Sequence, residues 1–196
     1  TTTSRSPAVT DLPAAGLALQ TLLRSSGELQ LYLEEEPVPR PGPGEVVIRV
    51  EAAPINPSDL GLLLGPADVS TARPGGSPER PSVSFDVPQR FLRALAGRLD
   101  QPLPVGNEGA GVVVAAGEGA EELLGRTAAV LNRMTYAQYT KARVADLLVL
   151  PEGVTAVEGA SCFVNPLTAL GFVEPLRMEG HTALAHTAAA SNLGQM

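Results

Sequence analysis

The stretch EVVIRVEAAPINPSDLGLLLG, residues 45–65, changes its character halfway along. Its first half is rich in β-branched residues, which favour a strand because branched side chains pack well on a pleated surface. The second half offers Asn56 or Ser58 as a helix cap, and Pro57 suits a first helical turn. We therefore predict a strand that leads directly into a short helix.

The overall composition narrows the class of protein. The chain has 196 residues, of which 44% are hydrophobic, and this is enough to bury a core. A net charge of −7 disfavours nucleic acid and anionic membrane surfaces as partners. No apolar run reaches the roughly 18 residues of a membrane span, so no membrane partner is expected. The single cysteine, Cys162, excludes an internal disulfide and fits a cytoplasmic location.

Short strands separated by glycine and proline turns fill most of the sequence. ALQTLLRS and ELQLYLEE predict two strands around an SSG turn, and a proline-rich loop follows at 37–45. Further strands are predicted in GNEGAGVVVAAGEGAEELLGRTAAVLN, MTYAQYTKAR and DLLVLPEGV. Residues 66–103 interrupt these strands as an aperiodic surface excursion. Its segment VPQRFLRALAGRL predicts an amphipathic helix, which we expect to pack against the strands.

The pattern becomes helical after residue 153. Thr155 and Glu158 have the spacing of a capping box, and Pro166 should kink or divide the helix that follows. The segment HTALAHT, residues 181–187, predicts an apolar strand that leads into a turn of small residues. This order of elements is typical of the beginning of a doubly wound α/β domain. Because an apolar strand without neighbours is prone to aggregate, we expect the rest of its sheet to exist elsewhere.

Five short motifs occur in a defined order: PINPSD (54–59), GNEGAG (106–111), YAQY (136–139), VNPLTA (164–169) and HTAAASNLGQ (186–195). Together they resemble the medium-chain dehydrogenase/reductase superfamily. The likeness is greatest to its zinc-independent branch of quinone oxidoreductases and trans-2-enoyl thioester reductases. The resemblance implies a GroES-like barrel on the substrate side, a Rossmann domain that holds NAD(P)H, and an active site in the cleft between them.

The predicted fold class is therefore a mainly β GroES-like barrel followed by the start of an α/β Rossmann domain, which is truncated. Residues 1–16 are expected to be a flexible lead-in. Residues 17–153 form the substrate and catalytic barrel, with an insertion at 66–103, and residues 154–196 begin the NAD(P)-binding domain. We expect the full-length form to be a homodimer.

Neutral residues take the positions at which the zinc-dependent branch of the family binds its metal. The resemblance places Asn56 at a cysteine ligand, Asn107 at a histidine ligand and Val164 near the third ligand. An asparagine amide is a poor zinc ligand, and valine is none. We therefore predict no metal. Without zinc, hydrogen-bond donors must polarise the substrate, or the substrate must itself accept hydride well, as quinones and α,β-unsaturated carbonyls do.

Three residues are candidates for the catalytic side of the cleft. The amide of Asn56 could donate to a substrate oxygen or hold the nicotinamide side, and a helix cap is the alternative. The resemblance assigns Asp59 to bracing the active-site loop. Asn107, together with Glu108, would line the cleft floor, where simple turn formation by GNEG is the alternative.

The candidate cofactor residues lie near the end of the sequence. The resemblance implies that Asn165 and Thr168 lie near the nicotinamide ribose and carboxamide, and a capped or kinked helix is the alternative. The phosphate loop would be formed by Ala190, Ser191, Asn192, Leu193 and Gly194. This loop has fewer glycines than the usual dinucleotide pattern, but small side chains still let backbone amides approach a pyrophosphate. NADPH is the expected cofactor, and NADH is not excluded.

The leading hypothesis is an NAD(P)H-dependent reductase that transfers hydride to a quinone or an α,β-unsaturated carbonyl. Enoyl thioester reductases carry a tyrosine proton donor shortly after the INPSD helix, whereas residues 60–105 contain no tyrosine. Tyr136 and Tyr139 fall instead in a predicted strand. Enoyl thioester reduction is therefore an alternative. The other two alternatives are a non-catalytic NADPH-binding or interaction relative and a barrel module that acts in trans.

Overall fold

The computed structural model describes residues 12–196, and most of the expected lead-in lies outside this range. Within the described residues, the chain forms two five-stranded sheets. The strands are β1 (Ala15–Leu23), β2 (Glu28–Pro37), β3 (Glu45–Ala52), β4 (Asp68–Gly76), β5 (Pro81–Asp86), β6 (Pro102–Pro104), β7 (Glu108–Ala116), β8 (Thr127–Leu131), β9 (Tyr139–Arg143) and β10 (Leu147–Val149). The α-helices are α1 (Pro57–Leu63), α2 (Gln89–Leu92), α3 (Ala156–Gly159) and α4 (Val164–Glu179).

The second sheet, in the order β10-β8-β7-β3-β9, contains β3, which is the strand predicted from the β-branched run. β3 lies between β7 and β9 and is antiparallel to both. The consecutive residues Val46, Val47 and Ile48 are all completely buried. Because neighbouring side chains on a strand point to opposite faces, both faces of β3 must be covered. This explains why the strand is a continuous β-branched run and not an alternating one.

The first sheet has the order β4-β5-β2-β1-β6 and meets the second sheet along β1. The predicted hairpin of β1 and β2 is present, with Leu19 opposite Leu33. The backbone N–H of Leu19 donates to the carbonyl of Tyr136 at 2.8 Å, and the N–H of Gln138 donates to the carbonyl of Leu17 at 2.8 Å. These bonds connect β1 to the segment that precedes β9. The strands therefore curl into a half-barrel.

The excursion at 66–103 differs from its prediction. Its first part is a β-hairpin, in which β5 pairs with β2 and β4 pairs with β5, so it widens the first sheet. Val83, Phe85 and Val87 pack in one hydrophobic cluster. These residues alternate with polar ones, and this alternation is the strand signal that the abundant proline and glycine obscured.

The predicted amphipathic helix in the same excursion is much shorter than expected. It consists of α2 and a separate 3₁₀ turn at Ala96–Arg98. Its apolar side is placed as predicted, because Leu92 is buried and Phe91 and Leu95 pack on the same cluster. The helix cannot continue because the backbone N–H of Asp100 bonds to the carbonyl of Leu23 at 2.8 Å, which returns the chain to the sheet.

The helical region after residue 153 begins as predicted, but the break between its two helices does not lie at Pro166. Thr155 caps α3, and the carboxylate of Glu158 accepts a hydrogen bond from the backbone N–H of Thr155 at 2.8 Å, as in a capping box. The break between α3 and α4 covers residues 160–163 and precedes Pro166, which lies in the first turn of α4. A proline is tolerated there because the first N–H groups of a helix have no intrahelical partner.

The predicted strand at 181–187 is not formed. Residues 181–186 have no regular secondary structure, and turns follow them. A strand needs a neighbouring strand to accept its ladder of hydrogen bonds, and no described strand lies beside this segment. The segment instead lies along α4.

The region Ala156–Glu179 is long and apolar enough to cross a membrane by length and composition alone, with a mean hydropathy of 1.3 over its most apolar 18 residues. This differs from the expectation that no such segment exists. A single segment of this kind is weak evidence for a membrane span, and 17% of its most apolar 18-residue window is buried within the described residues.

The close approach of β3 and β7 makes a specific prediction for Gly111. A Cβ at this position would collide with the backbone carbonyl of Arg49 on β3. Gly111→Ala is therefore expected to lower the free energy of unfolding by about 1–3 kcal/mol. Gly171→Ala is the control, since a Cβ there meets no atom within 4 Å, and helix propensity should make it neutral or stabilising by up to about 1 kcal/mol. Urea denaturation measures both, and equal midpoints would contradict the close approach.

Candidate active-site cleft

A cleft of about 550 Å³ lies between the start of α1, the start of α4 and the turns after residue 186. Its walls include six of the predicted site residues: Asn56, Asn165, Thr168, Ser191, Asn192 and Leu193. The other lining residues are Ile55, Pro57, Ser58, Val164, His186 and Ala188. Four predicted residues do not line the cleft: Asp59, Asn107, Ala190 and Gly194. The structure thus brings the barrel candidates and the cofactor candidates to one place.

Asn56 has the helix-cap position that the sequence offered as the alternative, and it also lines the cleft. It is the N-cap residue of α1, and its side chain is only 4% exposed. The amide nitrogen donates to Oε1 of Glu108 at 2.8 Å, and both groups are buried. One N–H of the amide is therefore already used within the protein, and the second N–H is the donor that remains for a ligand.

Asp59 holds the loop that precedes the cleft. Its Oδ2 accepts from the backbone N–H of Asn56 at 2.8 Å, and its Oδ1 accepts from the backbone N–H of Asn107 at 3.0 Å. This carboxylate is 2% exposed and therefore braces two loops from behind the cleft. The side-chain amide of Asn107 points to Ser58, with 3.3 Å between Nδ2 and Oγ.

Glu108 was expected to line the cleft floor, but it lies buried behind the cleft, and the sequence did not indicate its hydrogen bonds to distant residues. Its side chain is 1% exposed. Besides the bond from Asn56, its Oε2 accepts from the backbone N–H groups of Phe163 at 2.9 Å and Val164 at 3.0 Å. These N–H groups belong to the start of α4, where the helix dipole favours a negative charge. One buried carboxylate thus connects the barrel to the helix that carries the cofactor candidates.

Tyr136 and Thr135 complete the packing behind the cleft. The hydroxyl of Tyr136 donates to the carbonyl of Pro54 at 2.8 Å, and the hydroxyl of Thr135 donates to the carbonyl of Glu108 at 2.8 Å. Burial raises the pKa of the Tyr136 phenol, and the nearby charges of Asp59 and Glu108 raise it further.

The prediction that Tyr136 lies in a strand is wrong, whereas Tyr139 begins β9. The two tyrosines are three residues apart, so a strand would have placed them on opposite faces. A turn before β9 instead allows Tyr136 to reach Pro54 and Tyr139 to pack beside Gly16.

The turns at 187–194 form a compact loop. The Ser191 hydroxyl donates to the carbonyl of Ala188 at 2.7 Å and accepts from the backbone N–H of Gly194 at 3.1 Å. Its hydrogen is therefore used within the loop and is not the free donor that the sequence suggested. A Cβ on Gly194 would lie 2.5 Å from the Ala188 carbonyl oxygen, so this position requires glycine.

The first two turns of α4 present polar groups to the cleft. Asn165 and Thr168 are half-buried in its wall. The Thr168 hydroxyl donates to the carbonyl of Val164 at 2.6 Å, so its oxygen remains free to accept. Neutral groups of this kind suit a carboxamide or a carbonyl, both of which combine a dipole with no charge.

The arrangement of acidic, histidine and cysteine side chains gives no indication of a metal site. No group of three such residues with the geometry to hold an ion occurs within residues 12–196. The side chains of Asn56 and Asn107 are bonded to Glu108 and Ser58. Independence from zinc remains a prediction.

Comparisons with known proteins identify the class. No family model matches the chain. The chain is 35% identical over 161 residues to the synaptic vesicle membrane protein VAT-1 homolog of Rattus norvegicus, a match that covers 77% of this chain and 31% of that protein. The chain therefore spans about a third of the length of the curated relatives it matches.

Solved structures show the same fold. The crystal structure of a candidate NADPH:quinone reductase from Mesorhizobium loti matches with a TM-score of 0.65 and 27% sequence identity. The match covers 95% of this chain and 51% of that chain. A mycobacterial protein complexed with NADPH has a TM-score of 0.53 at 20% identity, with 82% of this chain and 42% of that one covered. The latter likeness shows the fold alone.

The resemblance seen in the five motifs is confirmed, since the matched structures and the curated relatives are members of the medium-chain dehydrogenase/reductase superfamily. The fold class is confirmed as well, since the half-barrel and the elements after it correspond to about half of the matched structures. The zinc-independent branch is consistent with these comparisons.

The three bonds to Glu108 make a prediction about its carboxylate. Glu108→Gln places an N–H₂ group against one of three donors, so the free energy of unfolding should fall by about 1–3 kcal/mol. Glu118→Gln is the control, because Glu118 is exposed. Chemical denaturation of both variants is the measurement. An equal loss in both would mean that the buried carboxylate does not connect the barrel to α4.

The environment of Tyr136 predicts its titration. The difference between the ultraviolet absorbance titrations of the wild type and Tyr136→Phe should show a phenol with a pKa above the ordinary value of 10.0. Because the pKa is raised in the folded state, the associated stability is fully present below pH 10 and is lost as the pH rises toward the folded-state value. Tyr139→Phe is the comparison variant. A Tyr136 phenol that ionises at its ordinary pKa would contradict this environment.

Proposed function

We propose that the protein is an NADPH-dependent reductase that transfers hydride to a quinone or an α,β-unsaturated carbonyl without zinc. The observation that carries this proposal is the cleft, which Asn56, Asn165 and Thr168 line together with several apolar side chains. The likeness to a candidate NADPH:quinone reductase supports it. A cytoplasmic location and a homodimer are part of the same proposal.

The residues of the cleft fit the nicotinamide end of the cofactor. Asn165 offers both a donor and an acceptor to a carboxamide, and the Thr168 oxygen offers an acceptor. The compact turn that requires glycine at 194 would lie at the phosphates, where a side chain larger than hydrogen has no room. When bound, NADPH supplies the hydride. The chain itself binds and orients the reactants and excludes water from between them.

The acceptor would lie against the barrel side of the cleft. Ile55 is 71% exposed at its rim and offers an apolar surface to a flat ring. Asn56, which is fixed by Glu108, is proposed to hold the acceptor carbonyl with its remaining N–H. This arrangement favours neutral, electron-poor acceptors, because they accept hydride without a Lewis acid.

Two other functions have specific support. Enoyl thioester reduction fits the same fold, but Tyr136 does not line the cleft, and its hydroxyl donates to the carbonyl of Pro54. A non-catalytic NADPH-binding relative is supported by the phosphate loop, in which Ser191 bonds only within the loop. The experiment below separates these functions from the proposal.

The whole protein should oxidise NADPH, followed at 340 nm, when quinones or enones are added. Asn165→Ala is expected to weaken NADPH binding about 3- to 10-fold, since one or two hydrogen bonds of about 0.5–1.5 kcal/mol are lost. Glu179→Gln, an exposed change at the far end of the same helix, is the control. Fluorescence titration gives the Kd independently of turnover.

Binding of NADPH without its oxidation by any acceptor would favour the non-catalytic relative. Oxidation with enoyl thioesters alone would favour the enoyl thioester alternative. No binding of NADPH at all would overturn the proposal.

A further inference from the structure

We propose that His186 is the proton donor that completes reduction of the acceptor. This inference rests on the proposed function and adds a catalytic residue to it. It starts from the position of the imidazole, which lines the cleft on one side and an apolar groove of about 560 Å³ along α4 on the other. The ring is therefore part of the wall between the two spaces.

The imidazole is held in place by packing and not by hydrogen bonds. Its ring lies edge-on to Phe172, with 5.8 Å between centroids and an angle of 62° between planes. Within the described residues, Nδ1 is buried and has no hydrogen-bond partner. Buried polar atoms of native proteins nearly always have a partner, so the lack of one at Nδ1 distinguishes this ring from the other residues that line the cleft.

His186 also differs from the other residues that line the cleft in its ability to exchange a proton. The other lining residues, from Ile55 to Leu193, have side chains that do not exchange protons near neutral pH. Imidazole is the side chain suited to this exchange. Asp59 and Glu108 lie behind the cleft wall, where their oxygens accept hydrogen bonds from the protein. Among the described lining residues, His186 is therefore the available proton donor.

The charged groups near the ring do not oppose this role. Glu174 and Arg177 line the same groove as His186, on the side away from the cleft. They are paired with each other, with 3.1 Å between Oε1 and Nη1. His181 is bonded to Glu179 and does not line the cleft, so it provides a matched control for a histidine substitution.

The proton balance of the reaction requires such a donor. Hydride brings one hydrogen and an electron pair to the acceptor, and the π electrons of the acceptor move onto its oxygen. The resulting oxyanion takes a proton from the protonated imidazole, so that an N–H bond breaks and an O–H bond forms. The neutral imidazole then regains a proton from water. The products are a hydroquinone, or the enol that becomes the saturated ketone, together with NADP⁺.

The test compares His186→Gln with His181→Gln in the whole protein. Loss of a general acid should lower kcat by about 100-fold or more, while the KM for NADPH changes less than about 3-fold. The loss should grow as the acceptor oxyanion becomes more basic, across a series of substituted enones and quinones. A merely structural role would give the same loss for every acceptor. His181→Gln should behave like the wild type.

A second readout does not depend on turnover. In proton NMR spectra, the imidazole C–H signals that disappear in the His186 variant are those of His186. These signals should shift when a hydroquinone is added to the wild type, whereas the signals of His181 should not. If His186→Gln does not fold, as judged by circular dichroism, His186→Asn replaces it and the NMR titration of the wild type decides. A wild type that reduces acceptors while the variant keeps its kcat would overturn this inference alone. A wild type that oxidises no NADPH would overturn the proposed function instead.

Discussion

The buried carboxylate of Glu108 connects the barrel to the helix that carries the cofactor candidates. It accepts hydrogen bonds from a side chain of the barrel, Asn56, and from two backbone groups at the start of α4. A carboxylate removed from water is costly unless its oxygens are bonded, and here three donors converge on it. Each donor therefore depends on the other elements being in place, and so does the cleft between them.

The backbone around Glu108 has little freedom because several short contacts meet there. Gly106 has a φ of +94°, and a Cβ on it would lie 2.5 Å from the Tyr136 backbone nitrogen. The Thr135 hydroxyl bonds to the Glu108 carbonyl from the same segment. The sequence GNEG thus does more than form a turn, because its first glycine admits the neighbouring segment and its acid anchors α4.

The elements that the sequence predicted well are those with a strong local signal. β3 was evident from its β-branched run, α1 from its cap and proline, and the capping box at Thr155 from its spacing. The hairpin at Asp68–Asp86 was missed because proline and glycine masked the alternation around Val83 and Phe85. The strand at 181–187 was predicted from its apolar residues, but a strand also needs a neighbour, and this is a property of tertiary structure.

For the candidate site, the sequence predicted which residues come together but not which hydrogen bonds they form. Motif order predicted that Asn56, Asn165 and Thr168 would share a cleft, and the structure brings them together. It did not predict that the amide of Asn56 would already be bonded, nor that the Ser191 hydroxyl would be used within its own loop. Hydrogen-bond partners that are distant in sequence, such as Glu108 and Phe163, leave no local pattern. They can be recognised only in the three-dimensional structure.

The distribution of charge around the cleft connects these findings to chemistry. The two acids nearest to it, Asp59 and Glu108, are 2% and 1% exposed and direct their oxygens to hydrogen-bond donors of the protein. The surface that a ligand meets is consequently neutral, although charges lie directly behind it. Apart from the imidazole of His186, the residues that line the cleft offer a ligand no group that carries a full charge. Under the proposed function, such a site would favour an acceptor whose own conjugation spreads the incoming electron pair, and the imidazole at its edge would supply the proton.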